Sequence, residues 1–161
     1  MTIEQLVRIL SIGFGATFVM DLWTVFLNRA FGMPLPNYCF IGRWLRHMGS
    51  GAFSHPSIAA APEQPAECPI GWIAHYGIGA LFALVLVALV TPQWMQSPTL
   101  VPPLIFGIVT VGFPLFIMHP AFGLGLAASK APDPMQVRLR SLMNHVVFGL
   151  GLYASALALS P

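Results

Sequence analysis

Four runs of apolar residues, each about as long as the hydrocarbon core of a bilayer is thick, leave this chain little choice of fold. A helix crossing that core needs about 20 mostly apolar residues, and the runs at residues 6–27, 71–90, 100–118 and 142–159 meet the requirement. Backbone amides find no water in hydrocarbon, so segments of this length close their hydrogen bonds internally, as helices. Charge leads to the same conclusion. Seven basic and five acidic side chains make 7% of the 161 residues, against about 25% in soluble domains, too few to cover a water-facing surface. The expected fold is all-α: an integral membrane four-helix bundle forming a single membrane domain over residues 1–161. The fifteen glycines and fifteen prolines are in keeping with membrane helices, where both are frequent.

The first run has only Arg8 as a basic flank, four residues from Glu4. It continues past Asp21 without a small-residue cleavage site, so it is expected to be a retained helix and not a signal peptide. Pro114 is expected to kink the third span. Between the first two spans, the loop at residues 28–70 contains Phe40-Ile-Gly-Arg-Trp-Leu-Arg-His-Met48, apolar and basic at helical spacing, which reads as a short interfacial helix. Residues 54–62 are expected to fold back under the bundle, and residues 120–128 to lie at the interface.

Basic residues set the expected orientation. Arg29, Arg43 and Arg46 lie in the first loop and Lys130, Arg138 and Arg140 in the third, with only Arg8 on the other side. Both long loops are therefore expected in the cytoplasm and both termini outside, with Arg43, Arg46, Arg138 and Arg140 as topology anchors that meet anionic headgroups. Trp72 and Trp94 read as interfacial anchors at opposite faces. In that orientation Cys39 and Cys68 face a reducing compartment and are expected as free thiols. The net charge of +2 is too small to point to nucleic acid.

The spans repeat as two tandem helical hairpins. Displacing the chain by 70 residues superposes Ala61-Pro62-Glu63 on Ala131-Pro132-Asp133, His75 on His145 and Gly79 on Gly149. Displacing it by 98 superposes Phe18-Val-Met-Asp21 on Phe116-Ile-Met-His119. Small and polar residues also recur at three- and four-residue spacing, as Gly13, Thr17, Asp21, Thr24 and Asn28 in the first span, Gly71, His75, Gly79 and Ala83 in the second, and Ser141, His145 and Gly149 in the fourth. Such stripes mark helix–helix contacts.

The candidate site is the set of polar residues these spans carry: Asp21, His75, His119 and His145. Ionisable groups at membrane depth are costly and mark pairing or function. At 1.5 Å per residue, Asp21 lies about 9 Å and His75 and His145 about 6 Å inside their spans, all near the loop-bearing side. Three imidazoles and a carboxylate form a known ligand set for zinc or iron, with Thr17 and Asn144 as outer hydrogen-bonding partners. Haem b between His75 and His145 is a second cofactor reading. The leading reading is a membrane protein whose Asp/His cluster binds a metal or small ligand. Its rivals are a proton- or ion-coupled transporter and a structural accessory subunit in which the cluster is a hydrogen-bonded packing network. The partners expected are the lipid bilayer and further subunits, in a homo-oligomer or a larger membrane complex. No catalytic motif is present, and an enzyme is not the favoured class.

The words Gly15-Ala-Thr17, Met20-Asp21-Leu-Trp23, Gly42-Arg-Trp44, Ser57-Ile-Ala-Ala-Ala-Pro62, Gly71-Trp-Ile-Ala-His75-Tyr and Arg138-Leu-Arg-Ser-Leu142 together resemble the small bacterial membrane proteins of domain-of-unknown-function family 2938. The resemblance covers nearly the whole chain and implies a bacterial, multi-pass inner-membrane protein. It brings no activity and no catalytic residues.

Overall fold

The apolar runs of the chain are realised as helices. The computed structural model describes residues 1–160, and no strand occurs among them. Helix α1 spans Ile3–Phe31, α2 Cys39–Met48, α3 Glu67–Val90, α4 Val101–Thr110, α5 His119–Ala121 and α6 Pro134–Ala158. Four stretches are long and apolar enough to cross a membrane: Ile3–Phe31, Glu67–Val90, Val101–Ala121 and Pro134–Ala158. The protein is thus an all-α, multi-pass membrane protein, with each span longer than its apolar run. Thr2 and Gln5 form a capping box at the start of α1, and Gly32 ends it in a left-handed conformation at φ 65°. The Asp133 side chain accepts from Gln136 N at the start of α6.

At Pro114, where a kink is expected, the third span leaves regular α-helix. Proline cannot donate the hydrogen bond that Thr110 O would accept, and residues Pro114–Met118 relax into a π-helical turn in which His119 N bonds Pro114 O. Single π-turns of this kind occur inside α-helices as local irregularities.

The chain divides into two compact units. The first comprises Met1–Leu35, Tyr76–Thr110 and the C-terminal stretch from Asn144. Its core is Ile9, Ile12 and Ala16 of α1, Ala83, Leu86 and Val87 of α3, and Phe148, Leu152 and Ala156 of α6, closed by Trp94 and Met95. Glycines let the backbones touch. A Cβ on Gly13 would lie 2.6 Å from Ala80 Cα, and one on Gly107 2.5 Å from His145 O. In each hairpin the glycine four residues after a histidine meets the hairpin's first helix: Gly79 packs on Thr17, and Gly149 packs on Pro103. The small-residue stripes are therefore contact faces, as their spacing requires.

Two expectations fail in this unit. Trp94 is not an interfacial anchor: it is 7% exposed in the core, and its indole donates to Thr99 O at 3.2 Å. The turn between α3 and α4 is short enough to tuck its aromatic inward. Arg8, expected beside Glu4, instead donates to Met95 O at 2.8 Å, a carbonyl that the helix end leaves free.

The second unit comprises Pro36–His75 and Val111–Met143. Here α2 is an integral part of a packed core, with Trp44, Ile58 and Ala121 buried together and Phe40, Met48 and Phe122 against them. Trp44 donates to Phe53 O at 2.8 Å. Residues 54–62 pair with the segment after the third span: His55 N donates to Ala121 O and Ile58 N to Phe122 O, at 2.9 and 3.1 Å.

The cysteines contradict the sequence expectation. Cys39 and Cys68 are joined in a disulfide, and no free cysteine remains. The physical reason lies three residues further on. Gly42 and Gly71 each follow a cysteine at the same spacing, and a Cβ on either would collide with backbone, on Glu67 O and Tyr38 O respectively. That close approach of α2 to the first turn of α3 brings the sulfur atoms together.

Candidate functional site

Each residue predicted for the polar cluster has a definite setting. Asp21 lies on α1, where its carboxylate accepts from the Tyr76 hydroxyl at 3.0 Å and its backbone carbonyl accepts from Thr24 Oγ1 at 2.9 Å. Both residues belong to the first unit, so this bond ties α1 to α3. His145 is in the same unit, its Nδ1 2.9 Å from Thr110 Oγ1. The Thr110 hydroxyl also donates to Gly107 O at 2.8 Å. A hydroxyl has one proton to give. With that proton on Gly107 O, the Thr110 oxygen accepts from His145 Nδ1–H, which selects the tautomer with an unprotonated Nε2. The pair ties α4 to α6.

His75 and His119 belong to the second unit. His75 is 8% exposed, and its ring stacks on Tyr38 at 3.8 Å between centroids and 20° between planes. Trp72 closes the edge at 6.0 Å. His119 is the first residue after the π-turn, with Nδ1 buried and no hydrogen-bond partner. Of the two predicted outer partners, Thr17 donates to Gly13 O on its own helix at 2.9 Å, and Asn144 Oδ1 is buried without a donor. Among the described residues, no three His, Cys, Asp or Glu side chains are grouped so as to hold a metal ion.

The most elaborate polar site is one that hydropathy reading passed over. Arg43, read as a headgroup anchor, is 5% exposed. Its Nε and Nη2 grip Glu67 Oε2 and Oε1 at 2.8 and 2.6 Å. Its Nη1 reaches the carbonyls of Ile58, Ala59 and Ala61 at 3.2, 3.3 and 3.1 Å, and Nη2 lies 3.5 Å from Glu63. Such a two-pronged pair is among the stronger hydrogen-bonded contacts available to a protein. With its donors committed and its charge enclosed, Arg43 is not disposed to meet a lipid headgroup. The bond to Glu67 holds its guanidinium above the ordinary arginine pKa, against the lowering effect of burial. Glu67 also accepts from Gln64 N at 2.9 Å. That turn includes Ala66 at φ 57°, a left-handed conformation that costs a non-glycine residue about 1–2 kcal/mol. Arg138, another predicted anchor, donates from Nε to Ala127 O at 2.7 Å. Arg46 is exposed on α2.

The chain matches, over residues 10–159, a family described as protein of unknown function (DUF2938), and it belongs to that family. No curated protein and no solved structure matches it.

Removing one partner of a buried ion pair leaves the other charge uncompensated, at a cost of about 3–5 kcal/mol. Arg43→Ala is expected to lower unfolding stability in detergent by about that amount, whereas Arg46→Ala is expected to change it by no more than about 0.5 kcal/mol. Equal, small effects of both substitutions would show that the Arg43–Glu67 pair does not hold the second unit together.

Proposed function

We propose that this member of the family is a structural accessory protein of the membrane, in which Asp21, His75 and His145 serve helix packing, each within its own compact unit. The observation that carries this reading is pairing. Asp21 is matched by Tyr76 and His145 by Thr110, in each case a neutral hydroxyl on an adjacent helix. His75 is covered by the ring of Tyr38. A hydroxyl opposite an ionisable side chain satisfies it and fixes helix register without supplying a metal ligand. The partners belonging to this reading are the bilayer and other membrane subunits, the latter in a homo-oligomer or a larger complex.

A double-mutant cycle tests the reading. Asp21→Asn and Tyr76→Phe are each expected to lower stability in mixed micelles by about 0.5–1.5 kcal/mol. The coupling between them is expected near the average of about 0.6 kcal/mol for interhelical membrane bonds. Additive effects would remove the Asp21–Tyr76 bond from the network and this reading with it.

The compartment we propose is a bacterial inner membrane. Six basic residues against one favour cytoplasmic loops and external termini. A second orientation is favoured by one observation: the Cys39–Cys68 disulfide persists on an oxidising face, which would put the long loops outside. A C-terminal alkaline phosphatase fusion, active only outside the cytoplasm, decides between them. Activity follows the basic residues and makes the cysteines a thiol pair in the cell. Inactivity, paired with a fluorescent C-terminal fusion, follows the disulfide.

A further inference from the structure

Within the second unit, two loop segments flank an open cleft of about 490 Å³. Ser54, His55 and Pro56 form one wall. Pro120, Gly123, Gly125, Leu126, Ser129 and Lys130 form the other. The backbone bond from His55 N to Ala121 O fixes the distance between the walls. So does the backbone of Gly123, which lies at φ 88° so close to Pro56 O that a Cβ there would collide with it.

The chemistry of the lining is one-sided. Its residues include Lys130, Ser54, Ser129 and His55, and no Asp or Glu. Both ring nitrogens of His55 are buried and lack a hydrogen-bond partner, a costly condition for a group that can both donate and accept. Gly125, at φ 74°, makes room for the other donors: a Cβ there would lie 2.5 Å from Ser129 Oγ and 3.0 Å from Lys130 Cγ. Arg138 holds the same turn from α6 through Ala127 O. Leu126, 62% exposed, adds an apolar edge to this cationic, donor-rich pocket.

We propose that this cleft is an anion site that takes a phosphate group, with Lys130 supplying the charge and Ser54, Ser129 and His55 supplying hydrogen bonds. A cation and convergent neutral donors in a half-enclosed space are what a phosphate's oxygens require, and the volume accommodates one such group with a small substituent. The same chemistry is offered by a free phosphate ion and by the phosphate of an anionic lipid, and the exposed leucine beside the cleft is compatible with an acyl chain. The proposal is independent of the packing role given to Asp21, His75 and His145, none of which lines the cleft.

The test uses the full chain in an uncharged maltoside detergent. The unfolding midpoint is followed against inorganic phosphate, with chloride at matched ionic strength as control, and against short-chain phosphatidylglycerol, with phosphatidylcholine as control. A saturating rise in the midpoint is expected with at least one phosphate source and not with its control. Lys130→Gln is expected to weaken that response about tenfold, the loss of one charge-assisted hydrogen bond. The Ser54→Ala, Ser129→Ala double variant should weaken it without changing net charge, and Arg46→Gln should leave it unchanged. Saturation by inorganic phosphate assigns the site to a free phosphate, and saturation by phosphatidylglycerol alone assigns it to a lipid headgroup. No saturable response, or a response equal in wild type and Lys130→Gln, overturns the proposal.

Discussion

A buried arginine organises the part of this protein that lies outside its apolar spans. Arg43 on α2 must have its charge and its donors met, because leaving a buried ion pair half-made costs about 3–5 kcal/mol, a large share of a small protein's stability margin. Glu67 meets the charge, and the carbonyls of Ile58, Ala59 and Ala61 meet Nη1. One side chain thereby ties together α2, the returning loop and the start of α3. The neighbouring contacts follow from that geometry. With Glu67 drawn to Arg43, Gly42 and Gly71 are pressed against opposing backbone, the cysteines before them are bonded, and Ala66 is held at a positive φ that it would not adopt alone.

Inside the spans another constraint operates. Hydrocarbon gives helices no hydrophobic reason to associate, so they rely on close backbone approach and on polar groups that find one another. Gly13, Gly79, Gly107 and Gly149 provide the approach, while Asp21 with Tyr76 and His145 with Thr110 provide the polar matches. The break at Pro114 belongs with this set. The proline forces the helix out of its regular ladder a few residues after Thr110, whose hydroxyl serves both its own helix and His145.

These layers differed in how readable they were. Span number, helical class and the helix at residues 40–48 were legible because apolar run length and periodicity are local properties. Stripe residues such as Gly13 and Gly79 were legible for the same reason. The partners of Asp21 and His145 were not, since Tyr76 and Thr110 are ordinary residues on other helices and no spacing rule names them. Arg43 resembles any loop arginine until Glu67, 24 residues away, is brought beside it. The disulfide did leave a trace, the paired words Cys39-Phe-Ile-Gly42 and Cys68-Pro-Ile-Gly71. Reading the basic residues as proof of a reducing compartment hid its meaning. The cleft was invisible because its walls come from separate loops joined by backbone bonds.

The central claim is that Asp21, His75 and His145 are each matched for packing and do not form a cofactor centre. Metal analysis and an absorption spectrum on untagged protein, purified in mild detergent and shown to be folded, test it most directly. The account predicts a colourless protein with metal far below one equivalent. Near-stoichiometric metal, or a haem absorption band, that disappears in His75→Ala and His145→Ala would contradict it.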